Sequence, residues 1–584
     1  MYLPLTKSGK EKHGLMSSLV AAFALVTSLG TFAADQRNTG EIGKQLVDKH
    51  CTRCHLAPDP ADLPLENWPI TLHWMGNYVG MKGDEFSDLP MQPVMKNHDT
   101  LDDYTIRYNL VDARGKSHFM RIFKEWILPK PAMSKTEWLQ VRAYFEKNSR
   151  PLKDMLYEQK KQPLLKGFTA TVPPLDLEPN GLVFTMKVDE SKQRLYVGRG
   201  IQNDWIAGGI PGVEGIDALL SFDLKSGKRI GYTQLETDPA TIELTQTGLR
   251  VSTHGQMPVV IGNGKGQVID FDHFGDKDAN THMLINGMHR VTEHITQDLN
   301  SDGLEDILVT SFGDGLNHTG GGGLSIYWQT PEFATLRDKA DAQIPQGPLE
   351  GALDETVLLT QAGMLGAAVE DFNKDGLPDV LVVSAQAHQQ ILIFINQGNK
   401  LFKRHEVLEH TPSFGSTGVE IADLNNDGHM DILLMNGNNV EMKVLRAQHG
   451  IRIFENNGDL SFTQRFVYPM HGATRSVVND FDNDGDLDIA TISLWPDWSM
   501  EEPETFIYLE NKGDWKFSPA SLDAAYWGVW SSIEVGDVNA DSKTDIILGL
   551  GNYPSLLPPD WTSKKIMSSR KGKAPTVTFL LNKN

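Results

Sequence analysis

Hydrophobic positions along this chain follow two different periods. Up to about residue 150, apolar side chains recur at helical spacing: Ile42, Leu46 and Val47 before His50, and later Trp138, Val141, Tyr144 and Phe145. The later run opens on Ser134 with Glu137 at the third helical position, a capping box that predicts a helix start. Beyond residue 167 the pattern becomes short apolar blocks bounded by polar turns, such as Ile307-Leu308-Val309, Val380-Leu381-Val382, Ile432-Leu433-Leu434 and Ile546-Ile547-Leu548. The pattern predicts a small α-helical unit over 36–150, then strands to the end of the chain. Between them, residues 151–166 carry Lys153, Lys160, Lys161 and Lys166 and read as a polar connector.

Each of these β blocks follows one kind of loop, Asp-x-Asn/Asp-x-Asp-Gly-x-x-Asp. The copies place Asp298, Asn300, Asp302 and Asp306; Asp371, Asn373, Asp375 and Asp379; Asp423, Asn425, Asp427 and Asp431; Asp480, Asp482, Asp484 and Asp488; and Asp537, Asn539, Asp541 and Asp545 at loop positions one, three, five and nine. Oxygen ligands at that spacing wrap a hard divalent cation, and calcium takes about six to eight of them. Glycine at position six supplies a sharp, positive-φ turn. The likeness to an EF-hand stops at position nine, where a strand follows instead of a continuing loop and helix. The fifth loop has Ser542 in place of the glycine, which leaves its occupancy open. The reading is up to five calcium ions with a mainly structural role.

The five loops are separated by 73, 52, 57 and 57 residues. A unit of about 55 residues approaches the length of one four-stranded propeller blade. Counting back from Asp298 reaches turns near Glu243–Gly248 and Val188-Asp189, so two degenerate blades precede five calcium blades and seven are expected. A second signature has the same period: Ile391 to Gly398, Ile453 to Gly458 and Phe506 to Gly513 each run from a strand into a turn, as the outer hairpin of a blade does. The chain ends on Val577–Asn582 with no following strand. An open edge needs a partner, and Gly167–Val172, just ahead of the first blade, is expected to supply it and close the ring.

The two cysteines of the chain both lie in Cys51-Thr-Arg-Cys54-His55. Cys-x-x-Cys-His is the attachment sequence of c-type haem: two thiols add to the vinyl groups and the adjacent His55 ligates iron. Residues 1–33 fit an export signal, with Lys7, Lys10 and Lys12 ahead of an apolar stretch and small residues up to Ala33. Export, to the periplasm or beyond, is where such a haem is assembled. Helices on either side of the motif resemble a class I-type cytochrome c domain. A closer resemblance is to the haem domains attached to FG-GAP proteins, carried by Pro58, Pro60, Trp68, Met75, Pro131 and Glu137-Trp138. It implies one covalent haem c held by Cys51, Cys54, His55 and a distal Met75, with Met133 the alternative and His73 a third choice.

From the loops and their period, residues 167–584 resemble the FG-GAP/VCBS propellers of the integrin α-subunit type. The fold expected is therefore α plus all-β: a helical cytochrome c-like domain followed by a seven-bladed β-propeller. The formal charge of −22 argues against a nucleic-acid partner, and five calcium ions would cancel nearly half of it. After signal cleavage no stable membrane span is expected. On the propeller face opposite the calcium loops, His289 and His471 share a repeat position, with Arg290 and Arg475 close by in sequence; His254 and His388 follow the second strands of their blades. Trp495, Asp497 and Trp530 join them from long loops. Imidazoles gathered near a ring axis suit a metal, an anion or a polar substrate. Two functions follow: a periplasmic electron-transfer protein whose propeller binds a redox partner or small ligand, or a haem c-linked oxidoreductase with its site on that axis. The second resembles, in architecture, the propeller-plus-cytochrome nitrite and nitrous oxide reductases. An adhesion module ranks last, since adhesion needs no covalent redox cofactor.

Overall fold

The computed structural model describes residues 41–584 apart from 54–55, 82–127, 129, 156, 158–159, 179–181, 201–217, 256–264, 278, 314–320, 340–348, 350, 439–445, 498–499, 524–525, 527 and 552–574. The expected export signal and the Cys54-His55 pair lie outside the described residues. Seven antiparallel four-stranded sheets are present among the described residues. In chain order they are blade 1 (182–234), blade 2 (239–288), blade 3 (291–360), blade 4 (364–410), blade 5 (418–469), blade 6 (473–521) and blade 7 (530–582). First strands of successive blades touch, and the first strand of blade 1 meets that of blade 7, so the sheets form a closed ring.

Closure uses the segment expected from the open edge. Phe168–Thr171 pairs antiparallel with Val577–Asn582, Phe168 opposite Asn582 and Thr171 opposite Phe579. Blade 7 is thus built from both ends of the propeller sequence, and unfolding either end exposes a sheet edge. Blades 1 and 7 also share a core in which Val183, Met186 and Val197 pack with Ile547, Val577 and Phe579.

Position in the blade decides each strand's pattern. The middle strands are sandwiched between neighbouring blades, so Asp379–Ser384 and Gln389–Asn396 are buried throughout. An outermost strand such as Phe402–His410 has one face in water, and its exposure varies along its length. The longer first loop interval comes from an insertion in blade 3 containing a helix, Phe333–Lys339, whose Phe333 packs with Val291, Val309 and Ala352.

Helices α1 (41–50), α2 (Trp68–Tyr78) and α3 (Lys135–Asn148) form a smaller core. The capping box at Ser134 is formed: its backbone N–H donates to Glu137 at 2.7 Å, and Ser134 Oγ accepts from the Glu137 N–H at 3.3 Å. Trp68 and Phe145 meet with ring centroids 4.1 Å apart, and Leu46, Val47, Leu72, Met133, Trp138 and Val141 surround them. Helix α2 was not anticipated from the hydrophobic period; Pro69 in its first turn has no N–H that the helix would need.

This helical unit sits on the propeller. Gln448 Nε2, before the third strand of blade 5, donates to the Asp62 carbonyl at 3.2 Å, and the Asp62 carboxylate accepts from the Thr411 and Ser413 hydroxyls. Described residues of the connector also contact the propeller. Tyr157 stacks on His471 at 4.7 Å between centroids, Leu165 N–H donates to Ser521 O at 2.8 Å, and Ser521 N–H donates to Pro163 O at 2.9 Å.

Candidate functional site

The acidic loops join the first and second strands of blades 3 to 7, so all five lie on one face. They share one hydrogen-bond scheme. In the first, the Asp302 and Gly303 N–H groups donate to the Asp298 carboxylate at 3.2 and 2.9 Å, and the Leu304 N–H donates to Asp302 at 2.9 Å. Position six has φ of +84, +90, +84 and +98° at Gly303, Gly376, Gly428 and Gly485. Ser542 holds φ +66° at that place and its N–H still reaches Asp537 at 2.7 Å, so the fifth loop keeps its shape without the glycine.

Ligand oxygens of Asp480, Asp482 and Asp488 all lie within 4.8 Å of one another, the arrangement a small cation needs. Each carboxylate that accepts one backbone N–H has lone pairs left over, and a set of carboxylate and amide oxygens is the donor chemistry of calcium. The residues therefore fit such an ion.

The ninth-position aspartates have a further role that spacing did not reveal. Asp306, Asp379, Asp431, Asp488 and Asp545 are fully buried. One oxygen of each accepts the N–H of loop position two (Leu299, Phe372, Leu424, Phe481, Val538), and the other accepts from the third strand (Gln329, Asn396, Asn456, Asn511, Asn582), at 2.7 to 3.3 Å. Burial raises all five, to about 6 or, for Asp431, about 7. The third-strand asparagines then tie blade to blade: Asn396 Nδ2 donates to Leu299 O of blade 3 at 2.8 Å, Asn511 Nδ2 to Leu424 O of blade 5 at 3.2 Å, and Asn582 Nδ2 to Phe481 O of blade 6 at 2.7 Å.

On the opposite face the structure separates the predicted histidines. His254 Nδ1 donates to Val291 O at 2.7 Å, which leaves Nε2 as the lone-pair atom of a neutral ring; burial, reinforced by Arg290, pulls it down to about 4. Arg290 itself lies over Phe312 at 4.5 Å. His289 is exposed, and His388 Nδ1 lies 3.5 Å from Glu409. His471 is buried against Tyr157, and its desolvation also lowers it to about 4, opposed by Asp497. Among the described residues, Asp480, Asp482 and Asp488 form the single group of three or more His, Cys, Asp or Glu side chains close enough to share an ion, so these four histidines are not gathered into one ligand set. Trp530, read as a loop residue, begins the first strand of blade 7 and is fully buried.

Arg475 points to a feature that sequence reasoning missed. It sits on the first strand of blade 6, and its charge acts on both Glu293 of blade 3 and Glu420 of blade 5. Glu534 of blade 7 and Lys187 of blade 1, joined at 3.1 Å, act on Glu420 too. Groups from so many blades meet only at the axis, so the first strands line a channel of mixed charge. Glu420 is open to solvent there yet surrounded by protein. Burial raises Glu293 to about 7 and Glu420 to about 8. A second unanticipated group is His449, which precedes the third strand of blade 5 as His388 precedes that of blade 4; the shared position was the available signal.

In the helical unit, Cys51 ends α1 with its N–H donating to Val47 O at 2.8 Å and packs against the core that holds Met133. Met75 on α2 is half-buried, whereas Met133 is a packed core residue, so Met75 is the methionine less committed to packing. Of the three residues expected to hold haem in the attachment sequence, Cys51 is the one whose surroundings are described, Cys54 and His55 lying outside the described residues.

Residues 371–434, comprising the acidic loop, second strand and outer hairpin of blade 4 and the start of blade 5, match the FG-GAP-like repeat family. The chain carries an FG-GAP-like repeat. In its first loop, within that match, Asp375 and Gly376 N–H groups donate to Asp371 at 3.0 and 2.7 Å. No curated protein matches the chain. Solved structures to which the chain is similar include a chain in S. cerevisiae Dbp5 bound to Nup159, Gle1, IP6 and ADP (10% identical, covering 73% of this chain and 98% of that one, TM-score 0.38). Others are the N-terminal domain of Nup159 (10%, 73% and 98%, 0.36) and Saccharomyces cerevisiae Sqt1 (10%, 69% and 97%, 0.38). A seven-bladed propeller carrying an FG-GAP-like repeat is compatible with binding a ligand or partner.

Proposed function

We propose that this protein is an exported haem c electron-transfer protein whose calcium-stabilised propeller binds a redox partner or small ligand. The observation that carries the reading is the seating of the Cys51 helical unit on the propeller face away from the acidic loops, through Asp62, Thr411, Ser413 and Gln448. A haem attached at Cys51 and Cys54 and held by His55 and Met75 would supply one-electron chemistry. With that unit held against the propeller, a haem on it would lie beside a surface on which a partner could dock.

The chain's own residues set the conditions at that surface. His254 and His471 stay neutral at pH 7, so they present lone pairs and N–H donors without adding positive charge. The channel beside them, with Glu293, Glu420 and Arg475, favours a polar or charged ligand and gives the alternative its specific support: an oxidoreductase with a substrate or metal site on the axis.

Mass spectrometry of protein exported from cells competent in cytochrome maturation tests the primary reading. One covalent haem is expected, lost in the Cys51→Ala, Cys54→Ala double variant; an unmodified polypeptide mass would sink it. Turnover and total metal content together decide the alternative, which expects activity, with any transition metal beyond haem iron, to be lost in His254→Ala while the haem is retained.

A further inference from the structure

Blade 5 holds buried cationic and polar groups that the protein itself leaves incompletely paired. Arg452 is 9% exposed; its Nη2 donates to Gln448 O at 2.6 Å, and its guanidinium lies 5.2 Å over the Phe414 ring. Nη1 is buried with no hydrogen-bond acceptor, and among the described residues no carboxylate pairs with this arginine. His449 is 1% exposed and neither ring nitrogen has a partner. Leaving such groups orphaned costs about 1–3 kcal/mol each, more for a charge.

These groups converge. A Cβ built on Gly415, whose φ is +78°, would lie 3.2 Å from His449 Nε2 and 3.3 Å from Arg446 Nη1. Arg446, 5% exposed, donates Nη1 to Ser413 O at 2.7 Å. A side chain here would crowd both groups, so glycine lets the backbone pass close beside them. Burial alone lowers Arg452 to about 10, and burial with the neighbouring arginines holds His449 well below its ordinary value, so the imidazole is neutral. The site therefore combines the unpaired Nη1 of the buried Arg452 guanidinium with a neutral imidazole donor. Gln448 bridges it to the helical unit, since its Nε2 donates to both Ser413 O at 2.9 Å and Asp62 O at 3.2 Å.

We propose that Arg452, Arg446 and His449 form a buried binding site for a small planar oxyanion, a carboxylate group, at the seam between blade 5 and the helical unit. Guanidinium edges match the coplanar oxygens of a carboxylate. The Nη1 of Arg452 and one His449 nitrogen each gain the partner they lack. The bound anion would cancel the buried charge and strengthen the seam through Gln448. This site is on the propeller and does not depend on haem attachment.

The test is thermal unfolding of the full-length protein in sodium formate or sodium acetate, against sodium chloride and sodium sulfate at equal ionic strength. A carboxylate concentration ten times the dissociation constant corresponds to about 1.4 kcal/mol of stabilisation, so formate and acetate should raise the propeller transition by a few degrees over chloride. Arg452→Gln should abolish that increment, and His449→Gln, which keeps a single amide donor, should weaken it several-fold. Should Arg452→Gln fail to fold, His449→Gln alone decides the matter. Equal transitions in all four salts, as expected if water alone satisfies these atoms, would overturn the proposal. So would a response to sulfate without one to formate, or an undiminished carboxylate response in Arg452→Gln and His449→Gln.

Discussion

Replacing Asn396 by alanine probes the tie between blades without touching an acidic loop. The side chain is 2% exposed; its Nδ2 donates to Leu299 O at 2.8 Å and Pro378 O at 3.0 Å, and its Oδ1 accepts from Gly398 N–H at 3.0 Å. Three bonds at about 1 kcal/mol net set a floor near ~3 kcal/mol, and burial of the orphaned Leu299 carbonyl raises the loss toward ~5 kcal/mol. The backbone N–H of Asn396, which donates to Asp379, is untouched, so loop geometry and any bound cation are retained. Urea unfolding followed by tryptophan fluorescence should show a lower midpoint with an unchanged slope for the propeller transition. Because the helical unit can unfold separately, only that transition enters the comparison. The exposed turn residue Asn457, whose Nδ2 reaches only Ser461 and Thr463 nearby, serves as control, with Asn457→Ala expected to cost under about 0.5 kcal/mol. The loss at Asn396 should be the same in excess chelator. A loss below about 0.5 kcal/mol, or one that vanishes on chelation, would refute the view that this residue locks blade 4 to blade 3.

Three other outcomes are expected. With a dissociation constant of about 10⁻⁴ M, each occupied loop should contribute ~1.4 kcal/mol in about 1 mM calcium, so calorimetry should show the propeller transition falling by several degrees in chelator; unchanged melting and metal content would rule out calcium. Phe168→Ala removes ring contacts to Phe481 and Tyr508, both at 5.9 Å, and should cost about 2–3 kcal/mol while opening the Val577–Asn582 edge to proteolysis; intact wild-type resistance would argue against closure by that strand. Burial raises Glu293 from 4.5 to about 7 beside Glu243 and Arg475. The sign follows: its favourable protonated state is fully available below about pH 4.5, and stability is lost as pH rises through 7. Glu293→Gln should therefore gain about 1–3 kcal/mol on wild type between pH 5 and 8, discounted for channel water, whereas parallel pH profiles of the urea midpoint would count against a buried Glu293.

The repeat was legible in the sequence because its chemistry is local. Asp298 to Asp306 and its four relatives bend the chain through hydrogen bonds among residues a few positions apart, and each loop is followed by a strand whose apolar run needs two covered faces. Those features set the period, the blade number and the need for a closing strand, and Phe168–Thr171 fills the place they leave. The Cys51-Thr-Arg-Cys54-His55 spacing is also local, and the haem attachment expected of it belongs to the proposed function. Contacts between distant residues were decided only in three dimensions. Nothing near Asn396 announces Leu299, 97 residues away, and nothing near Gln448 announces Asp62, 386 residues away. The channel charges belong to strands of five different blades, and only the ring brings Lys187, Glu293, Glu420, Arg475 and Glu534 together. The same closure kept His254, His289, His388 and His471 apart: equivalent repeat positions fix height on the face, but the backbone carbonyl, carboxylate or ring beside each imidazole sets where it turns. Arg452 and His449 each read as an ordinary polar residue flanking or within a strand. Burial by Phe414, Gly415 and the seated helical unit is what makes them a site, since desolvation depends on packing that no local pattern encodes.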